Sequence, residues 1–136
     1  MGYMSDVVIA FAFNSKEQID EVMAIYRMHK LVQEHDLAKE WQVHDWNGVW
    51  GLTYSSAGVK WYETYEDVQG FQHMENVVVD FAENRKGFEY AYRTLRIGED
   101  DADVEENHHG HQEDNSDLSG ELWDRMSLRR EIETTF

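Results

Sequence analysis

The first sustained apolar stretch in the chain is Val7-Val8-Ile9-Ala10-Phe11-Ala12-Phe13. Apolar residues fill both alternating sets of positions, the pattern of a central strand covered on both faces. Asn14-Ser15 ends the run, and Ser15 with Gln18 three residues later is a capping-box signature. Ile19, Val22, Met23, Tyr26, Leu31 and Val32 then recur close to every 3.6 residues, which predicts a helix reaching Glu34. Asp36 is a candidate cap for a short second helix from Leu37 to Trp41.

An aromatic block from Trp41 to Trp50 follows, and Asn47-Gly48 inside it is a strong turn pair. Val49–Tyr54 and Val59–Tyr62 read as short strands, with Ser55-Ser56-Ala57-Gly58 as a hairpin loop between them. Thr64 and Asp67 mark the start of another helix, carried by Val68, Phe71, Met74, Val78, Phe81 and Ala82. Gly70 weakens that helix by about 1 kcal/mol relative to alanine. Gly87 after Arg85-Lys86 is the expected stop. Phe88–Ile97 alternates as a last long strand.

The order strand, helix, strand, strand, helix, strand is that of a ferredoxin-like α+β fold, βαββαβ. It predicts one antiparallel sheet with two helices on one face and the other face open. Trp50, Trp61, Tyr62, Tyr90 and Tyr92 must be divided between the faces. Those on the open face are candidate contacts for a partner or a second subunit.

The pattern changes at Gly98. Between residues 99 and 117 only Ala102 and Val104 are apolar. A segment of that composition buries too little surface to offset its ordering entropy, so a disordered linker is expected there. Residues 118–136 recover hydrophobicity. Leu122, Trp123, Met126 and Ile132 fit one stripe of an amphipathic helix, a candidate for docking into a partner's groove or back onto its own domain. The expected organisation is a domain over residues 1–98, a linker over 99–117 and a C-terminal helix over 118–136.

Charge sharpens this division. The 136 residues hold 28 acids against 12 lysines and arginines, a formal net of −16. Residues 99–136 hold 13 of the acids and 3 arginines, so the excess is concentrated there. Duplex DNA and anionic membranes attract basic surfaces, and this field opposes both. It suits a basic protein partner, including one that itself binds nucleic acid. There are no cysteines, which excludes disulfides and thiolate zinc sites and fits a reducing compartment. The apolar run near the N-terminus spans seven residues with no basic flank, too short for a signal sequence or membrane span. A cytoplasmic location is expected.

Candidate chemistry is sparse. His44-Asp45, among Trp41, Trp46 and Trp50, is the densest polar-aromatic cluster, and such a pair performs acid–base work when a cleft holds a substrate beside it. No nucleophile motif or glycine-rich phosphate loop accompanies it. His108, His109 and His111, with Glu113 and Asp114 nearby, supply metal-ligating types without the fixed cage a structural site needs. The same tract is a candidate pH-sensitive patch. Lys86-Gly87-Phe88-Glu89-Tyr90-Ala91-Tyr92 looks like the aromatic strand motif of RNA-recognition domains. It falls on the fourth strand rather than the third, and Glu89 repels phosphate. Acidic helix faces also allow carboxylates to imitate duplex phosphates, as small acidic phage and other viral inhibitors do.

The expectation is therefore a non-enzymatic, acidic protein-binding regulator or inhibitor with no cofactor and no metal. Its expected contacts are Trp50, Trp61, Tyr90, Tyr92, Leu122, Trp123 and Met126, with a homodimer as a further possibility. The alternatives are a DNA mimic and a small enzyme using His44 and Asp45.

Overall fold

The computed structural model describes residues 3–100, 102–112, 117–128 and 132–136. The uniformly apolar run becomes β1 (Ser5–Phe13), the middle strand of a five-stranded antiparallel sheet. On its two sides run β3 (Trp50–Val59) and β4 (Tyr90–Gly98). β2 (Gln42–Asp45) borders β3, and β5 (Val104–His111) borders β4, giving the order β2-β3-β1-β4-β5. Phe11 stands opposite Leu52 on one side and Tyr92 on the other.

α1 (Lys16–Tyr26) begins at the capping box the sequence predicts. Ser15 Oγ accepts from the Gln18 N–H, and Gln18 Oε1 accepts from the Asn14 and Ser15 amides. The predicted single helix breaks after Tyr26. A second helix, α2 (Lys30–Glu34), starts where His29 Nδ1 accepts from the Leu31 N–H. Instead of a capped helix from 37 to 41 there is one 3-10 turn, Ala38–Glu40. α3 (Glu66–Asn84) is the long helix, and Gly70 is in it because Leu37 packs against its Cα.

The two short strands expected at 49–54 and 59–62 are corrected. Residues 55–58 are not a loop: they continue β3, with Ser55 and Ser56 opposite Val8 and Val7, a register shift after Ser56, and Asp6 accepting from the Gly58 amide. The hairpin lies instead at Asn47-Gly48, both with positive φ, closed by a 2.8 Å bond from Trp46 N–H to Val49 O. Such two-residue turns match the twist of the strands they join.

The alternation along β1 divides the interior. Val7, Ile9, Phe11 and Phe13 face α1, α2 and α3, in a cluster with Ile19, Tyr26, Phe71, Met74 and Val78. Val8, Ala10 and Ala12 face the opposite side, where they meet Trp46, Leu95, Leu118, Leu122 and Met126. That second face is therefore not open. It is covered by α4 (Leu118–Arg125) and a small hairpin of β6 (Met126–Leu128) and β7 (Ile132–Thr134).

Two expectations about the tail are thus overturned. The described part of the 99–117 segment is largely a strand, β5, paired with β4 from Ile97↔Val104 to Tyr90↔His111; residues 113–116 lie outside the described residues. The amphipathic helix ends at Arg125 and the chain continues as strand. Leu122 and Met126 are 1% and 2% exposed and belong to the interior of this chain. Full burial of such side chains contributes roughly 1.5–3 kcal/mol each, which explains why the segment folds back. Among the described residues no helix is long and apolar enough to cross a membrane.

Candidate binding surfaces

With both sheet faces covered, the described residues present for recognition the outer helix surface, a groove beside α3, and the sheet edges. The helix surface is strongly acidic. α3 carries Glu66, Asp67, Glu75, Asp80 and Glu83 and has no lysine or arginine in its 19 residues. On α1 and α2 the acids are partly paired, by Lys16–Asp20 at 3.5 Å, Lys30–Glu34 at 3.7 Å and an Arg85–Glu21 contact. These are exposed pairs of small energetic weight.

A polar groove of about 540 Å³ runs between α3 and the β4–β5 side of the sheet. Trp61, Glu63, Gln72 and Asn76 line one wall, and Thr94, Arg96, Glu105 and His109 the other. Arg96 forms the floor, donating to Asp103 at 2.6 Å, Glu105 at 2.7 Å and Ser5 at 3.1 Å. This pairing holds the Asp103 carboxyl below its ordinary value. His109 bridges the layers: its Nε2 lies 2.6 Å from Glu75 Oε2, its Nδ1 2.7 Å from the Tyr90 hydroxyl, and its ring stacks on Tyr92. Burial pushes the Tyr92 hydroxyl up to about 12 and raises Tyr90 as well, so neither is poised as a phenolate. With both ring nitrogens engaged, His109 locks the edge strand to α3.

The sequence-predicted site residues are not brought together. Tyr90 and Tyr92 are buried under the helices, while Trp50 and Trp61 pack half-buried against that same cluster. None lies on the opposite sheet face. Leu122 and Met126 line the second interior, leaving Trp123 as the member at the surface, 47% exposed. Trp123 is held there by Arg93, whose guanidinium sits 3.7 Å from its ring centroid. Arg93 is itself 4% exposed and donates to the Met126 carbonyl at 2.7 Å and to Glu106 at 3.1 Å. Sequence reasoning missed this arginine. The available signal was a cation in an otherwise apolar alternate set, Ala91-Arg93-Leu95, which implies a buried partner for its charge.

His44 and Asp45 do not converge. His44 Nε2 lies 2.8 Å from Thr53 Oγ1, and its ring stacks on Trp46. Burial, with Arg125 nearby, lowers its pKa. Asp45 Oδ1 accepts from the Asn47 amide and shapes the turn. The three tail histidines also separate: His108 approaches Trp123 and Glu106, His109 approaches Glu75, and His111 stands opposite Tyr90 in the register. Of the described residues, only Glu34, His35 and Glu66 gather as metal-ligating types, and all three are exposed. Phe88 is 2% exposed, so the RNA-recognition pattern presents no ring at that position.

No protein-family model, characterised protein or solved structure matches the chain.

Proposed function

We propose that this chain is a non-catalytic binding protein whose acidic helical surface engages a basic surface on a protein partner, one that otherwise contacts nucleic acid. The observation that carries the reading is α3, which has no lysine or arginine and carries Glu66, Asp67, Asp80 and Glu83 exposed on its surface. An anionic surface of this kind speeds encounter with a cationic target and makes binding sensitive to salt. In this reading the first four strands with α1 and α3 are a ferredoxin-like unit, and β5 and α4 are additions that close it. Trp123 is a contact at the rim. The interior residues Trp50, Trp61, Tyr90, Tyr92, Leu122 and Met126 act by holding the surface in shape. A cytoplasmic setting, with partners that bind anionic nucleic acid, fits the same chemistry.

The test is affinity capture from host extract with the wild-type chain and a variant carrying Glu66→Gln, Asp67→Asn, Asp80→Asn and Glu83→Gln. The wild type retains a partner at low salt, releases it at high salt and yields it to competing duplex DNA. The variant captures little. Equal capture by both proteins, or no salt-dependent partner at all, refutes the reading.

A further inference from the structure

Strand β5 forms one edge of the sheet, and among the described residues no strand pairs with its outer side. In an antiparallel ladder alternate residues point their N–H and C=O groups away from the neighbour, so an edge offers a row of unmet backbone groups. Natural edges of this kind are usually blunted by short length, proline, a bulge or charged side chains, and of these devices β5 carries only charge, at Glu105 and Glu106. β5 has eight residues, no proline and an unbroken register with β4.

Its sequence has an unusual property. Residues 103–111 read Asp-Val-Glu-Glu-Asn-His-His-Gly-His. Reversed about Asn107, every acid falls on a histidine: Asp103 on His111, Glu105 on His109, Glu106 on His108, with Val104 on Gly110. An antiparallel pair made by a two-fold axis matches residue i of one copy with residue j of the other, and j with i. Opposed residues must also share a face, which requires i and j to have the same parity. The register centred on Asn107 satisfies both conditions and brings the charged positions of β5, with Asp103 just before it, into acid–histidine pairs.

We infer that β5 is a homodimer edge: two copies of this chain join β5 to β5 antiparallel about Asn107, forming a continuous ten-stranded sheet when the histidines are protonated. The occupant is a second copy because the charge pattern is complementary to itself. Histidine is the side chain whose ordinary ionisation falls between pH 5 and 8, so the match exists at mildly acidic pH and weakens above it.

The groups already facing these side chains set which pairs act. His108, 60% exposed, has Glu106 at 3.5 Å on its own strand, Arg93 opposite on β4, and Trp123 from α4. Its partner across the axis is Glu106 of the other copy. His111 is exposed opposite Tyr90 and meets Asp103, which Arg96 and Tyr3 already contact. His109 is held by Glu75 and Tyr90, so its pairing with Glu105, itself bound to Arg96, acts through charge without a new hydrogen bond. The His108–Glu106 and His111–Asp103 pairs therefore carry the switch.

Two measurements on the full chain test this. In sedimentation equilibrium at low salt the wild type is mainly monomeric at pH 8 and dimeric at pH 6, with the dimer tightening about tenfold or more across that range. The chain has no cysteine, so Asn107→Cys supplies a single thiol at the axis. Opposed Cβ atoms in such a pair are about 4.5–5.5 Å apart, close enough for mild oxidation or a short bis-maleimide to link them. N107C links into dimers at pH 6, whereas Val43→Cys on the far edge strand does not. His108→Glu stays monomeric at both pH values, and His111→Glu serves as a second variant should the first misfold. A mass independent of pH, equal linking by V43C, or an undiminished dimer in both glutamate variants overturns the inference.

Discussion

Replacing Arg93 by methionine removes a buried cation that fastens the C-terminal segment to the sheet while keeping most of the side-chain volume. Three contacts are lost. The charged donor to the Met126 carbonyl, 2.7 Å long in a buried setting, is worth about 1.5–3 kcal/mol. The stack on Trp123, 3.7 Å from the ring centroid and half exposed, adds about 0.5–1 kcal/mol. The pair with Glu106, whose side chain is 30% exposed, is discounted for screening to under about 1 kcal/mol. Relief of the desolvation of a guanidinium that is 4% exposed offsets part of this. The expected net loss is about 2–3 kcal/mol, read from urea unfolding at pH 7.5. Limited proteolysis should show preferential cleavage within residues 117–128 of R93M, because the contacts removed are those of that segment. A loss under about 0.5 kcal/mol with unchanged cleavage would refute the view that Arg93 fastens it.

Other perturbations probe the two interiors separately. Gly51→Ala should destabilise by about 1–3 kcal/mol in the same unfolding assay, since a Cβ there would overlap the buried Trp46 ring. Tyr26→Phe should cost about 1–3 kcal/mol: the Tyr26 hydroxyl donates to the Gly70 carbonyl at 2.8 Å and accepts from Trp41 Nε1 at 3.1 Å, which is left buried and unpaired. Acidification should also destabilise. Burial lowers the pKa of His44 and His73, the latter helped by His29, so the unfolded chain takes up protons first. Stability from these groups is complete above the ordinary histidine value of about 6.5 and declines as pH falls below it. The urea midpoint, measured at protein concentrations low enough to keep the chain monomeric, should drop between pH 7.5 and 5.5. The drop should shrink in a His44→Gln, His73→Gln variant.

Much of the fold is legible in the residues because single elements carry strong local signals. The two-sided apolar run at 7–13, the Ser15–Gln18 capping box and the Val68–Ala82 periodicity each specify one structure, and together they order the elements. Ser55–Gly58 misleads because small polar residues are read as a turn, although Ser55 and Ser56 stay paired with Val8 and Val7 through the backbone and the strand resumes at Val59 after a register shift. The tail misleads for a related reason. Composition measures the capacity to bury surface, but an edge strand is held by one neighbour's backbone and by Arg93 and Arg96 reaching across to Glu106, Glu105 and Asp103. Those two arginines and the tail acids are far enough apart in sequence that their pairing shows only once β4 and β5 are adjacent. Of the aromatic contacts proposed from sequence, Trp123 stands at the surface, whereas Tyr90 and Tyr92 are buried on the helix side of the sheet with Trp50 and Trp61 packed against them, because alternation along a strand does not say which face the helices cover. The face expected to be open is covered by the C-terminal segment.

The central claim is that the C-terminal third completes the fold, leaving the acidic helices and the β5 edge as the surfaces for recognition. Amide hydrogen exchange on the full chain at pH 7.5 tests it most directly. Alternate amides along Val104–His111, those turned towards β4, should exchange slowly, and Leu122 and Met126 should share the protection of the core. Uniformly fast exchange from residue 104 to residue 128 would contradict it.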